Sequence, residues 1–266
     1  MTEFLYSTIP GRILLKVLTR RFISKIVGKY MDSSLSKGRI SNFISKNSLD
    51  MTDYVQREYN SFNDFFTREL KEGARTVCMD NDALISPCDG LLSVYNISDN
   101  MDIRIKGSRY TAQELLENEE LAKNYCGGKM LVFRLTVTDY HRYIYVDDGT
   151  KEGNVFIPGV LHTVQPISQT RYKIYKTNSR EYTVLHTPNF GDVIHMEVGA
   201  MMVGRICNNH MEYTFKRGEE KGRFEFGGST IVLLIEKGKA EIFETYVPDT
   251  FTEVPVKLGQ KIGVKL

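Results

Sequence analysis

The chain has 266 residues, is 41% hydrophobic and 26% charged, and carries a formal net charge of +2. That balance excludes a molecule whose whole surface binds polyanions, and the length provides core for one large domain or two small ones. The chain contains no run of about 18 apolar residues and no apolar stretch followed by a small-residue cleavage site, so neither a transmembrane helix nor a secretory signal is expected.

Residues 1–48 hold nine Lys/Arg against two acids, Glu3 and Asp32. Within them Phe22, Ile23, Ile26, Val27 and Tyr30 recur at helical spacing, with Arg21, Lys25 and Lys29 outside the stripe. Such a basic amphipathic helix suits an anionic membrane surface; the competing reading is a helix packed on the core with a solvated basic face. Residues 11–19 show no clean face, and Gly28 weakens the helix. Residues 50–75 read as a second helical region ending near Gly73. From about Leu84 the pattern changes to short strands: Leu91–Tyr95, Met130–Val137, Tyr143–Val146, Tyr182–Leu185, Val193–Val198, Thr230–Glu236 and Glu241–Tyr246. One helix is predicted to interrupt them near Thr111–Tyr125, with Thr111 and Glu114 forming a capping box. The fold expected is α+β: N-terminal amphipathic helices over 1–48, then a largely antiparallel, barrel-sandwich-like β catalytic domain over 49–266. Cys78, Cys88, Cys126 and Cys207 form no CxxC pair and have no histidine at zinc-ligand spacing, which predicts reduced thiols in a cytosolic protein and no metal site.

Three turns carry candidate chemistry. Gly227-Gly228-Ser229-Thr230 lies between two strand-like runs, and glycines can take backbone conformations that other residues resist. Such a turn can press the Ser229 hydroxyl against the Gly228 carbonyl, where it could cut its own peptide bond; the plain alternative is a glycine-rich hairpin. Ser86-Pro-Cys-Asp89-Gly90 places Asp89 in a tight turn, and Asp139-Tyr-His141-Arg142-Tyr143 places His141 just after a strand. Each alone is more often structural. A Gly-x-Ser-x-Gly elbow is absent, which argues against an α/β-hydrolase.

Taken together these segments resemble the phosphatidylserine decarboxylase proenzymes along nearly the whole chain. Ser61-Phe-Asn-Asp-Phe-Phe-Thr-Arg-Glu-Leu70 with Arg75 resembles the family's FNxFFxRxL stretch. Ser86–Gly90 resembles its SPxDG turn, Lys106-Gly107 with Tyr110 and Leu115-Leu116 its KGxxY…LL stretch, and Asp139–Arg142 its DYHR motif. Val198–Ile206 resembles its VGAxxVGxI strand, and Gly218-Glu-Glu220 with Phe226–Thr230 the segment ending in the processing site. The family often carries a second histidine three residues after the first; here that position is Ile144. His162, His186 and His195 therefore stay open for one of the proton transfers.

The resemblance implies self-cleavage between Gly228 and Ser229. Asp89 would orient His141, and His141 would take the Ser229 proton. The products would be a chain of residues 1–228 and a chain of residues 229–266, the latter capped by a pyruvoyl group derived from Ser229. That group would bind the amine of phosphatidylserine and accept the electrons left when CO2 departs, giving phosphatidylethanolamine with no metal. The implied partners are phosphatidylserine in an anionic membrane surface and, within the enzyme, the heterodimer of its own two cleavage products, further oligomerisation being left open. The implied location is peripheral, on the cytoplasmic face of the cell membrane. Two alternatives compete with this reading: a pyruvoyl decarboxylase of a soluble amino acid, and a non-catalytic carrier or membrane module, suggested by Val256–Gly263 but lacking a modifiable lysine at a hairpin tip.

Overall fold

Five aromatic or apolar side chains explain how the N-terminal helices attach. The computed structural model describes residues 2–105, 108–163, 173–200, 205–226, 229–249 and 252–266; the Lys106-Gly107 pair and residues 201–204 of the motifs lie outside them. Helices α1 (Thr2–Ser7), α2 (Ile9–Leu18), α3 (Arg21–Asp32) and α4 (Arg39–Asn47) precede α5 (Phe62–Phe66). Met31 of α3 is buried with Phe62, Phe65 and Phe66 of α5, and Val27 packs against them. The other side of α3 leaves Phe22 69% and Ile26 50% exposed. One edge of this helix therefore packs on the core and the other edge is bare. In α2, Leu15 is buried with Leu5 and Tyr6 of α1, while Ile9, Ile13 and Leu14 are exposed. Its apolar residues do not converge on one protein-facing stripe, which is why none was legible.

The helical region expected over 50–75 reduces to α5. Val55 N–H donates to Glu69 O (2.9 Å) and Lys71 N–H to Asp53 O (2.8 Å), so the flanks pair with each other around a Tyr54–Leu70 bridge. Ser61 caps α5 by accepting from Asp64 N–H. The helix expected near 111–125 is split into α6 (Ala112–Leu116) and α7 (Glu119–Lys123). Its Thr111–Glu114 capping box is present, but Glu117 turns left-handed (φ 50°) and Asn118 caps a new helix.

The strands are β1 (Ala83–Ile85), β2 (Gly90–Asn96), β3 (Asp102–Ile105), β4 (Ser108–Thr111), β5 (Lys129–Leu135), β6 (Arg142–Ile144), β7 (Gly149–Lys151), β8 (Val155–Ile157), β9 (Arg180–Thr187) and β10 (Gly191–Val198). They continue with β11 (Ile206–Asn208), β12 (Tyr213–Phe215), β13 (Glu220–Phe224), β14 (Ser229–Ile235), β15 (Ala240–Ile242), β16 (Val254–Val256) and β17 (Lys261–Lys265). A nine-stranded sheet runs β12-β7-β9-β10-β14-β5-β2-β16, with β8 also on β9. Smaller sheets are β1-β17-β15, β11-β13-β6 and β3-β4. These ladders are antiparallel, giving the expected α+β body.

Strand β14 lies between β10 and β5. Ile231, Leu233 and Ile235 enter one core with Leu131, Phe133 and Leu135, whereas Val232 and Leu234 enter a second core with Met130 and Val132. Alternate residues point to opposite faces, and both faces are covered, so all seven residues of β14 are buried. This is why Ile231–Ile235 reads as an unbroken apolar run rather than as an alternating strand.

Candidate active site

The end of β5 gathers the three candidate turns. Ser229 opens β14 opposite Leu135, the last residue of β5. Gly90 opens β2, whose Leu91 pairs with Arg134 on the other side of β5. Strand spacing puts β14 and β2 about 10 Å apart across β5. Gly90 has φ 155°, and a Cβ there would sit 2.9 Å from the Arg134 carbonyl oxygen, so the turn after Asp89 has room only for glycine.

Ser229 is fully buried, and its Oγ has no hydrogen-bond partner among the described residues. A buried hydroxyl without a partner costs free energy, so this one needs a reason. Gly227 and Gly228, and with them the expected scissile bond, lie outside the described residues. The segment leading to them is anchored: Phe226 N–H donates to Asn63 Oδ1 (2.8 Å), and the Phe226 ring meets Phe62 and Phe66 at 4.9 and 5.4 Å.

His141 is also fully buried and precedes β6. Its ring lies 4.1 Å from that of Phe66, the same ring that touches Phe226. Its carbonyl accepts from Phe224 N–H (2.9 Å), which joins it to the strand running towards Ser229. Its Nδ1 is 2.8 Å from the carbonyl oxygen of Asp139. A carbonyl only accepts, so the neutral ring carries its proton on Nδ1 and its lone pair on Nε2, the form a general base needs. The loop holding Asp139 is itself braced. The Asp139 carboxylate accepts from Thr136 N–H (2.6 Å), and the buried Arg68 guanidinium donates to Thr138 O (2.9 Å). Arg142 closes the frame by donating to Thr67 O (2.9 Å).

Asp89 differs from its expected role as the orienter of His141. Its Oδ1 accepts from Arg75 Nε (3.0 Å) and Leu258 N–H (2.8 Å), and its Oδ2 from an Arg75 terminal nitrogen (2.7 Å) and Lys257 Nζ (3.4 Å). The carboxylate is turned to Arg75, and a main-chain carbonyl orients the imidazole instead. Burial pushes the Asp89 carboxyl up, but Arg75, Leu258 N–H and Lys257 outweigh it and hold it below its ordinary value. Stability from this pair is thus present above an ordinary carboxylate pKa of 3.8 and is lost as pH falls through the lower folded value. Arg75→Met should cost about 3–5 kcal/mol at neutral pH by stranding the Asp89 charge. In thermal melts the gap from the parent should shrink as the medium is acidified; a gap that does not change with pH would refute the pairing as its cause.

The alternative histidines lie elsewhere. His162 Nδ1 is 3.2 Å from the Tyr6 hydroxyl, under the N-terminal helices. His186 is exposed between Asp192 (2.7 Å) and Glu152 (3.2 Å), towards the Gly191 end of the β9–β10 hairpin, and Asp192 raises its pKa. His195 is buried on β10 with Nδ1 2.8 Å from Glu197 Oε1.

Phe226 also lines a cleft of about 270 Å³. Its walls include Lys25, Lys29 and Asp32 of α3, Leu161, Ser179, Arg205 and Glu225, so the cleft beside Phe226 carries both cationic and acidic side chains. Arg205 is partly neutralised by Glu225 at 3.1 Å. Reading the sequence missed the bracing roles of Phe66, Arg68 and Arg75. The available signal was their clustering in one short motif, which a sequence can display but cannot pair with the DYHR loop or the Asp89 turn.

Comparison with known proteins points one way. A family profile for phosphatidylserine decarboxylase matches residues 62–264. The chain is 48% identical to a phosphatidylserine decarboxylase proenzyme 2 of Clostridium acetobutylicum over 98% of its own length and 90% of the relative's. It is 41% identical to a phosphatidylserine decarboxylase proenzyme of Clostridium novyi over 99% and 92% of the two lengths. A proenzyme of the same description from Clostridium tetani is 38% identical over 100% and 92%.

Proposed function

The chain belongs to the phosphatidylserine decarboxylase family, and from that premise we propose how its own residues make and use the catalyst. The reaction converts phosphatidylserine to phosphatidylethanolamine and CO2, and enzymes of this family depend on a pyruvoyl group. The observation that carries the assignment of the site is the Ser229 hydroxyl: buried, without a partner among the described residues, and at the start of the innermost strand. A hydroxyl kept in that state suits a group held for covalent chemistry on its own chain.

In this reading Ser229 Oγ attacks the Gly228 carbonyl carbon while His141 Nε2 takes the hydroxyl proton. The amide C–N bond breaks, leaving Gly228 as an ester on Oγ and a free amine on residue 229. Loss of the Cα proton and cleavage of the Cβ–O bond release residues 1–228 with a terminal carboxylate. Water then replaces ammonia at the Cα of residue 229, leaving a ketone. A pyruvoyl group at position 229 supplies a carbonyl that binds the substrate amine and takes up the electron pair left by CO2. In the same reading His141, held by Asp139 O and Phe66, returns a proton to the substrate carbon. Asp89 contributes by locking the turn beside β5 through Arg75. The two products stay together as a heterodimer, since β14 is hydrogen-bonded on both edges to strands of the longer one. Intact mass measurement tests this: the shorter chain should begin at position 229 and be lighter by one ammonia than a simple hydrolysis product.

The substrate's headgroup enters by the cleft under α3, and residues 1–48 form the membrane-associating region of an otherwise catalytic chain, 49–266. No helix among the described residues is long and apolar enough to cross a membrane. Phe4, Ile9, Ile13, Leu14, Phe22, Ile26 and Leu35 nevertheless expose their side chains. Apolar residues gathered on a basic surface favour a lipid over a soluble amino acid, with docking at the anionic cytoplasmic face of the cell membrane. Lysines near such a surface add on the order of 1 kcal/mol each, screened by salt, while a fully buried apolar side chain adds about 1.5–3 kcal/mol that salt does not screen. Phe22→Ser with Ile26→Ser should therefore weaken the salt-resistant part of co-sedimentation with phosphatidylserine vesicles, with chain cleavage as the folding control. Unchanged sedimentation at high salt would place the membrane contact elsewhere.

A further inference from the structure

One buried ionic cluster lies beside Ser229 and has no part in the chemistry above. His195, Glu197 and Lys221 are fully buried. Lys221 Nζ donates to Glu197 Oε1 (2.5 Å) and Asn208 Oδ1 (2.6 Å). Asn208 Nδ2 donates to Glu181 Oε1 (2.8 Å) and Glu197 Oε2 (3.3 Å), and the Tyr143 hydroxyl donates to Asn208 Oδ1 (3.3 Å). His195 Nδ1 approaches Glu197 Oε1 at 2.8 Å. Burial raises the Glu197 carboxyl, but the Lys221 ammonium outweighs it and holds it well below its ordinary value, so it stays ionised. Burial and Lys221 lower His195 to about 4, so its ring is neutral.

The cluster spans two sheets, and those sheets carry the two halves of the site. Glu181, His195 and Glu197 belong to β9 and β10 of the large sheet; Tyr143, Asn208 and Lys221 belong to β6, β11 and β13 of the small one. The large sheet carries Ser229. Glu197 pairs with Ile231, which places it diagonally from Ser229 on the same face, at about 7–8 Å between Cα atoms. The small sheet carries His141 at the head of β6, and its β13 runs on to Phe226 and the expected scissile bond. Apolar packing alone would hold these sheets together at least as tightly, because burying charge is costly. What apolar packing lacks is direction: greasy surfaces can slide, whereas an ion pair with fixed hydrogen bonds allows one register.

We infer that the Glu197–Lys221 pair, oriented by Asn208, is a positioning clamp that registers the His141-bearing sheet over Ser229. The inference rests on the assignment of Ser229 and His141 to self-cleavage and decarboxylation. It predicts that the clamp can be removed without losing the fold but not without losing alignment.

The test replaces both charges in the full-length chain, Glu197→Leu with Lys221→Met, made by cell-free synthesis and followed by the appearance of two bands on a denaturing gel. Cleavage should slow by about 10- to 100-fold, the scale expected of a misplaced catalytic group. Tm, compared in a Ser229→Ala background so that both proteins are single chains, should be unchanged or higher. In the fraction that matures, kcat should fall while KM for phosphatidylserine in micelles stays put, because the cleft residues are untouched. A folded double variant that cleaves at the parental rate overturns the clamp. Should that variant misfold, Asn208→Ala keeps the ion pair and removes only its bridge; it should cleave about threefold more slowly, a fraction of the effect of full misplacement. Parental cleavage by a folded Asn208→Ala is equally fatal. Ser229→Ala alone separates the two levels: its cleavage would sink the underlying assignment, whereas its failure to cleave beside fully active clamp variants would sink the clamp only.

Discussion

Ser229→Ala is expected to yield one uncleaved chain of 266 residues with no decarboxylase activity. Alanine offers no oxygen to attack Gly228 and no leaving group at Cβ, so neither the chain break nor the ketone can form. The loss should be complete, unlike the partial loss on removing a base or an orienting group. The same variant should gain stability. The Ser229 hydroxyl is buried without a partner among the described residues, and relieving such a group is worth about 1–3 kcal/mol. A single band on a denaturing gel, a higher Tm than an uncleaved parent trapped early after synthesis, and no CO2 release would agree. Two bands would refute the assignment outright, and a single band with a sharply lowered Tm would show that the hydroxyl does have a structural partner.

His141→Gln should slow self-cleavage by about 10²–10⁴-fold, the usual contribution of a positioned general base. Glutamine keeps polar volume beside Phe66 and can still donate to Asp139 O, so the loop need not collapse. What it lacks is the basic nitrogen opposite that contact. Cleavage followed over hours on a gel gives the rate directly. The informative alternative is a variant that cleaves normally and yet fails to decarboxylate. The proposed mechanism asks the single ring of His141 to serve both steps; that outcome would assign His141 to the later one alone.

The legible parts of this molecule were those written in local spacing. The Thr111–Glu114 capping box, the strands around 130–135 and 193–198, and the Ser229–Ile235 run all depend on neighbours within a few residues. The α+β order followed from them. What the chain did not disclose depends on distant partners. Residues 53–55 and 69–71 pair with each other, and so a region rich in helix formers carries only α5. The motif paired Asp89 with His141, and only the folded chain shows its carboxylate turned to Arg75. The orienting group for His141 is a peptide carbonyl, which every residue possesses and no motif can mark. The Glu197–Lys221 pair did leave a trace: two ionisable residues, His195 and Glu197, on the same side of the otherwise apolar stretch Val193–Val198. Such spacing signals a buried polar cluster, though not its partner on β13.

The position of β14 has a consequence for the life of the molecule. It is the strand with neighbours β10 and β5 on its edges and a core on each face, so the large sheet cannot close until residues 229–235 are in place. Before the cut, chain connectivity brings that strand to its slot, and folding is a one-molecule event. After the proposed cut before Ser229 the same strand would belong to a separate chain, and reassembly would require two molecules to meet, at an entropic cost that then depends on concentration. Cleavage therefore acts as a ratchet. Only a chain that has already built its sheet can become the enzyme, and an enzyme that later unfolds has no short route back, so its persistence is set by the height of its unfolding barrier rather than by an equilibrium.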